Sequence, residues 1–239
     1  ETFILFLRGH IRNSFSDNNL YLLVKGIYNI YENLEIVIST FNIVQNNISW
    51  RKIDSINVEV DEAFINNYFK DLSHLIKIKI ITDDSKINLI GNLTGNVANS
   101  KAPLIGWKNY WYSKFKGIEY INNNYKNKNI HVLNLRFDIF NNSNNIHKNY
   151  ILKLLHENKN TIFKKNIFYK NYECRGIDNI YMGSIFTQYK LISKFYYKLD
   201  DILKKCDKKL RNQEFLVFRE NKSLFLSRKR LNIYKIMFI

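Results

Sequence analysis

The sequence predicts an α/β fold with a mostly parallel central sheet flanked by helices. Residues 3–7 form an unbroken apolar run of strand length. Leu20, Leu23, Val24 and Ile27 then recur at helical spacing, and residues 35–40 (EIVIST) return as a β-branched strand. A strand–helix–strand order with short links favours a parallel pair joined by a right-handed crossover. A length of 239 residues suits one α/β domain, 1–239, with a sizeable core. Hydrophobic residues at 46% and aromatics at 15% exclude global disorder.

The elements follow in order. Ser16 offers an N-cap for the first helix. Residues 50–60 end in clear alternation and predict a further strand. Asp61 can cap a short helix carrying Phe64, Ile65, Tyr68 and Phe69. Residues 76–81 alternate apolar side chains with lysine, as a strand with one wet face does. Residues 83–103 hold Gly91, Gly95 and Pro103 without a firm period, and are the candidate for a long, mobile loop. A helix over 105–125 carries Trp107, Trp111, Phe115, Ile118 and Ile121 on one stripe. Residues 130–135 read as a strand. Ile146, Ile151, Leu154 and Leu155 read as a helix, and 161–169 as strand-like. Ser184 caps a strongly patterned last helix with Ile185, Tyr189, Ile192, Tyr196, Leu199 and Leu203.

Lys and Arg total 37 against 21 Asp and Glu, a formal charge of +16 that fits anionic partners. Asn, Lys, Ile, Tyr and Phe are all served by A/T-rich codons, so part of this excess reflects a low-GC genome. The two cysteines, Cys174 and Cys206, argue against a disulfide framework or a Cys-based zinc site. The first apolar run is too short to span a membrane and lacks a basic leader, so an intracellular, cytoplasmic protein with no membrane span is expected.

Ligands of open α/β sheets bind beyond the carboxyl ends of the strands. The first strand is followed by Arg8-Gly9-His10-Ile11-Arg12-Asn13, a turn that can clamp a diphosphate between Arg8 and Arg12. Gly9 allows close backbone approach there. The alternative is a solvated basic turn. The second strand leads into Thr40-Phe41-Asn42. Arg136-Phe137-Asp138 follows the strand over 130–135. Asp138 there can ligate Mg²⁺ or Mn²⁺ through oxygen and Arg136 can bind phosphate, or the two form a surface ion pair. Asp178, before Gly183-Ser184, is a candidate base or a turn residue. No Walker loop, G-x-G-x-x-G fingerprint, H-E-x-x-H or G-x-S-x-G motif occurs. Trp107, Tyr110, Trp111 and Tyr112 read as core, with a stacking platform as the alternative.

Taken in order, these motifs resemble the capsular-polysaccharide-type glycosyltransferases of bacteria and large DNA viruses, a group with a GT-A-like nucleotide-sugar fold. The matching segments are Gly9-His10-Ile11-Arg12-Asn13, Thr40-Phe41-Asn42, the Trp107–Phe115 stretch, Arg136-Phe137-Asp138, 178–184 and Asn212-Gln213-Glu214. Phe41 stands where Trp is usual, and there is no Asp-x-Asp triplet. The resemblance implies one GT-A-like domain and a viral or bacterial glycan-building enzyme. It would move a sugar from a nucleotide-diphospho-sugar to a glycan or other hydroxyl acceptor. Arg8, Gly9, His10, Arg12, Thr40, Asn42 and Arg136 would bind the donor. Asp138 and Asp178 would be catalytic, with Mn²⁺ or Mg²⁺ at Asp138 as the implied cofactor. For a viral chain the place of action would be the host cytoplasm. Asp138→Ala is then expected to abolish transfer and leave the fold intact. The alternatives are a basic nucleic-acid-binding protein or nuclease, against which the scattered charge speaks, and a catalytically inactive binding protein of the same fold.

Overall fold

The computed structural model describes residues 2–49, 51–97, 100–141, 147–161, 166–168, 179–205 and 216–217. The α/β expectation holds. Strand β1 (Phe3–Arg8) leads through helix α1 (Asn19–Ile30) to strand β2 (Leu34–Phe41). A short strand β3 (Ile43–Gln45) pairs antiparallel with β4 (Ile56–Glu59) in a separate ribbon, so the strand expected before Asp61 does not join the main sheet. Helix α2 (Glu62–Phe69) follows, with the Asp61 carboxylate accepting from the Phe64 amide at 2.7 Å. A 3₁₀ turn at Lys70–Leu75 then feeds strand β5 (Ile76–Thr82).

Residues 83–103 contain one 3₁₀ turn, Asp84–Lys86, and an isolated bridge between Asn96 and Pro103. Helix α3 (Leu104–Asn124) crosses back to strand β6 (His131–Arg136). Helix α4 (Lys148–Glu157), the short strand β7 (Ile167–Phe168), strand β8 (Ile180–Ser184) and helix α5 (Ile185–Lys204) complete the described chain.

Two local expectations change. Helix α1 begins at Asn19 rather than after Ser16, because the Ser16 hydroxyl turns back to the Asn13 carbonyl at 2.7 Å. Asp17 instead accepts from the Asn19 amide at 2.8 Å. Residues 180–184, given no element of their own in the sequence reading, are a fully buried strand. Their run of Ile, Tyr and Met is too short to show a period, which hid the strand.

The main sheet has the order β5-β2-β1-β6-β8-β7. The first four strands are mutually parallel, and β8 runs antiparallel to both its neighbours. Strand β1 is central and buried on both sides, which accounts for its continuous apolar run. Its alternation divides the core. Phe3, Leu5 and Leu7 pack with α1 and α4, while Ile4 and Phe6 pack with α3 and α5. Helix α3 lies close on β1 because Gly117 has no side chain, and a Cβ there would fall 2.2 Å from the Phe6 ring. Trp107 and Trp111 are core residues, packed edge-to-face on each other and against Phe195 of α5.

Candidate functional site

The chain leaves β1 for β2 on one side, then returns through α3 to β6 on the other. The sheet therefore has a topological switch point between β1 and β6, and in open α/β sheets the ligand crevice lies at such a point, beyond the carboxyl ends. Register aligns the strand ends: Arg8 lies level with Ser39 of β2 and with Arg136 of β6.

Alternation places Arg8 on the same side as Ile4 and Phe6, facing α3. The side chain is buried at 1% exposure. Its Nε donates to Asn134 Oδ1 at 2.9 Å and its Nη2 to the Asn179 carbonyl at 3.3 Å. The guanidinium also lies over the Tyr110 ring, 4.7 Å from its centre. Lys114, fully buried one turn along α3, places its ammonium 4.1 Å from the centre of the same ring. Tyr110, Ser113 and Lys114 share one face of α3 at i, i+3 and i+4. Ser113 joins the helix to the strand ends, donating to the Ser39 carbonyl at 3.0 Å and accepting from the Gly9 amide at 3.3 Å.

Beyond β1 the chain turns sharply. Gly9 has φ +91, which a side chain would oppose, and a Cβ there would meet nothing within 4 Å. Arg12 also sits in the left-handed region, at φ 55, where a non-glycine residue costs energy. Its Nη1 donates to Asp138 Oδ2 at 2.8 Å. Arg136 grips the same carboxylate in a fork, Nε to Oδ1 at 2.8 Å and Nη2 to Oδ2 at 2.7 Å. Its Nη1 reaches Asn179 Oδ1 at 2.9 Å. Asp138 is thus shared by two guanidiniums, and its side chain is 5% exposed against 31% for Arg12 and 24% for Arg136. The surface-pair reading of Arg136 and Asp138 fails on this burial. Burial raises the Asp138 pKa, but the charges of Arg136 and Arg12 outweigh it and hold the carboxyl below its usual value. Burial lowers the Arg12 pKa, with Asp138 opposing and Arg136 reinforcing the shift.

His10 stacks on Phe41 with ring centres 4.1 Å apart, and its Nε2 hydrogen-bonds to Asp84 Oδ1 at 3.2 Å. Burial lowers the His10 pKa more than Asp84 raises it, which favours the neutral ring. Asn46 donates to the same Asp84 carboxylate at 3.0 Å, and Asn42 Oδ1 accepts from the Asp84 amide at 2.9 Å. The Thr40 hydroxyl donates to the Gly9 carbonyl at 2.9 Å, bracing the turn.

The expected residues therefore divide. Gly9, His10, Arg12, Arg136 and Asp138 gather at the mouth of the crevice. Arg8 lies behind it, so the two arginines of the first turn do not form one fork. Thr40 and Asn42 support backbone. Asp178 lies outside the described residues, as do Cys174, Cys206 and the stretch 212–214. Its neighbour Asn179 stands at the crevice because β8 is reversed, whereas Gly183 and Ser184 of the same motif lie at the opposite end of the sheet. Sequence reading missed Asp84, Asn134, Asn179 and Lys114. Asn134 carried a signal: it is the one polar side chain on the inner positions of HVLNLR, on a strand otherwise apolar between its ends.

Among the described residues no helix is long and apolar enough to cross a membrane. Comparison with family models, with curated proteins and with solved structures finds no match to this chain.

Proposed function

We propose that this chain is a glycosyltransferase that moves a sugar from a nucleotide-diphospho-sugar to a hydroxyl acceptor. The observation that carries the reading is the pair of arginines fixed on one buried carboxylate at the switch-point crevice. Preorganised guanidiniums in a water-poor site stabilise negative charge as it develops on a leaving group. Here that group is a nucleoside diphosphate. The new bond joins the acceptor oxygen to the anomeric carbon, the bond from that carbon to the diphosphate oxygen breaks, and the acceptor proton passes to a base.

His10, stacked on the buried Phe41 ring beside Arg12, makes the β1 turn rigid where the donor would meet it. Gly9, open in front, leaves room for the donor to approach the turn. The resemblance assigns the role of base to Asp178. Calorimetry with UDP, GDP and their sugars tests the reading. Saturable binding of one nucleotide series with turnover on an acceptor is the expected result. No response to any nucleotide would overturn it, and binding without turnover would assign the chain to the inactive, binding-only class.

A further inference from the structure

The resemblance implies Mn²⁺ or Mg²⁺ at Asp138, but the donor set there does not fit a divalent cation. Such an ion needs oxygen ligands at roughly 2.0–2.1 Å in near-octahedral array. Both Asp138 oxygens already accept short, charge-assisted bonds from Arg12 and Arg136. A metal at this carboxylate would have to displace a guanidinium and then sit beside two fixed positive charges. Asp84, the other carboxylate near the turn, is occupied by His10 and Asn46. Among the described residues no cluster of three or more His, Cys, Asp or Glu gathers to hold a metal.

The arrangement suits the opposite charge. Two guanidiniums share one carboxylate, and both stay partly exposed, at 31% for Arg12 and 24% for Arg136. Arg12 commits only Nη1 to Asp138, and its Nε is buried with no hydrogen-bond partner. Without Asp138 the two cations would repel each other. With it they are fixed at the mouth of the crevice, one from the β1 turn and one from the end of β6.

We propose that Arg12 and Arg136 hold the donor diphosphate directly, with Asp138 as the positioning residue that keeps them together and no divalent ion bound at it. This rests on the transferase reading for the identity of the anion, and it adds how that anion is held. The arginines supply the counter-charge that a metal would otherwise bring.

The test is calorimetric titration of the full chain with inorganic pyrophosphate, UDP and GDP, in EDTA and then in Mn²⁺. Binding in EDTA with a Kd within about threefold of that in Mn²⁺, well inside the tenfold that 1.4 kcal/mol represents, is expected. Binding that requires Mn²⁺ would overturn the proposal and leave the transferase reading intact. Binding of pyrophosphate in EDTA, with no response to any nucleotide or nucleotide sugar, would do the reverse. No binding of any diphosphate under either condition would overturn both.

Two variants sharpen the result. Arg12→Lys keeps the charge but loses the fork, and should weaken pyrophosphate at least about tenfold. Wild-type affinity in this variant would refute direct contact by Arg12. Asp138→Asn keeps the shape but loses the counter-charge, and should weaken pyrophosphate while the far-UV spectrum stays native. Unchanged affinity there would refute the positioning role. Arg12 lies at the rim, so its variant remains informative if Asp138→Asn does not fold.

Discussion

Asp138 and Asp200 are both carboxylates held by cations at similar distances, yet their surroundings differ. Asp200 on α5 meets one ammonium, Lys108 of α3, at 2.8 Å. It also accepts from the Asn92 amide at 2.9 Å, and Lys108 donates to the Ile90 carbonyl at 2.5 Å. One charge balances one charge, the remaining bonds go to backbone, and the result ties the 83–103 stretch to two helices. Gly91 is required for that seat, because a Cβ there would fall 2.0 Å from the Asp200 carboxylate. Asp138 is more deeply buried, at 5% against 30%, and is shared by two guanidiniums that are themselves partly exposed. Proximity does not separate the two clusters. Burial of the carboxylate and the number of guanidiniums on it do.

The comparison can be broken in several ways. The largest effect is expected from Asp138→Ala. Removing one member of a buried ion cluster costs about 3–5 kcal/mol, because the remaining charges lose their partner. A melting temperature lowered by roughly 10 °C or more should be seen by calorimetry, together with loss of transfer. The fold is still expected to stay intact at room temperature, as the sequence reading has it. A shift of only a degree or two would return Asp138 to the class of surface pairs.

Lys108→Met should cost less, about 1–3 kcal/mol, since it strands a half-exposed carboxylate and one carbonyl. Hydrogen exchange at the Asn92 amide should speed up while pyrophosphate affinity stays unchanged. A loss of affinity would show the two clusters to be coupled.

Gly9→Ala isolates backbone strain from crowding, since φ is +91 and nothing lies within 4 Å. A penalty of about 1 kcal/mol is expected from denaturant titration. A neutral result would mean that the turn relaxes.

The smallest effect is a pH slope. His10 has a lowered pKa, so above its ordinary value of 6.5 it is neutral in both states, and below that the unfolded chain takes the proton first. Stability should therefore decline as pH falls from about 6.5 toward the folded-state value, and His10→Gln should flatten that slope. The partly buried Asp84 and the buried Asp138, whose pKa values are also lowered, add a separate loss that begins near 3.8 and deepens as pH falls through their folded values.

Much of the frame was readable in advance. β1, α2 with its Asp61 cap, α3 and α5 with its Ser184 cap all follow from period and capping chemistry, since each acts over a few residues. Gly9, His10 and Arg12 were legible for the same reason, standing on one short turn after an obvious strand. What was hidden depends on pairing between distant segments. The direction of β8 is set by its neighbours and not by its own five residues. Asn179 matters only because that direction brings it to Arg136. Asp84 reaches His10 across 74 residues of sequence, and no local pattern announces it.

The place of β1 in the sheet has a consequence for biogenesis. This strand precedes both its sheet neighbours in sequence and is central in the fold, and one of its edges stays open until β6 exists. Arg8 and its partner Asn134 are 126 residues apart. At a synthesis rate of roughly 5–20 residues per second, that edge waits on the order of ten seconds on the ribosome. During that interval an apolar strand is exposed to any chain able to pair with it. A chaperone that shields this edge during translation should raise the soluble yield more than one added after release.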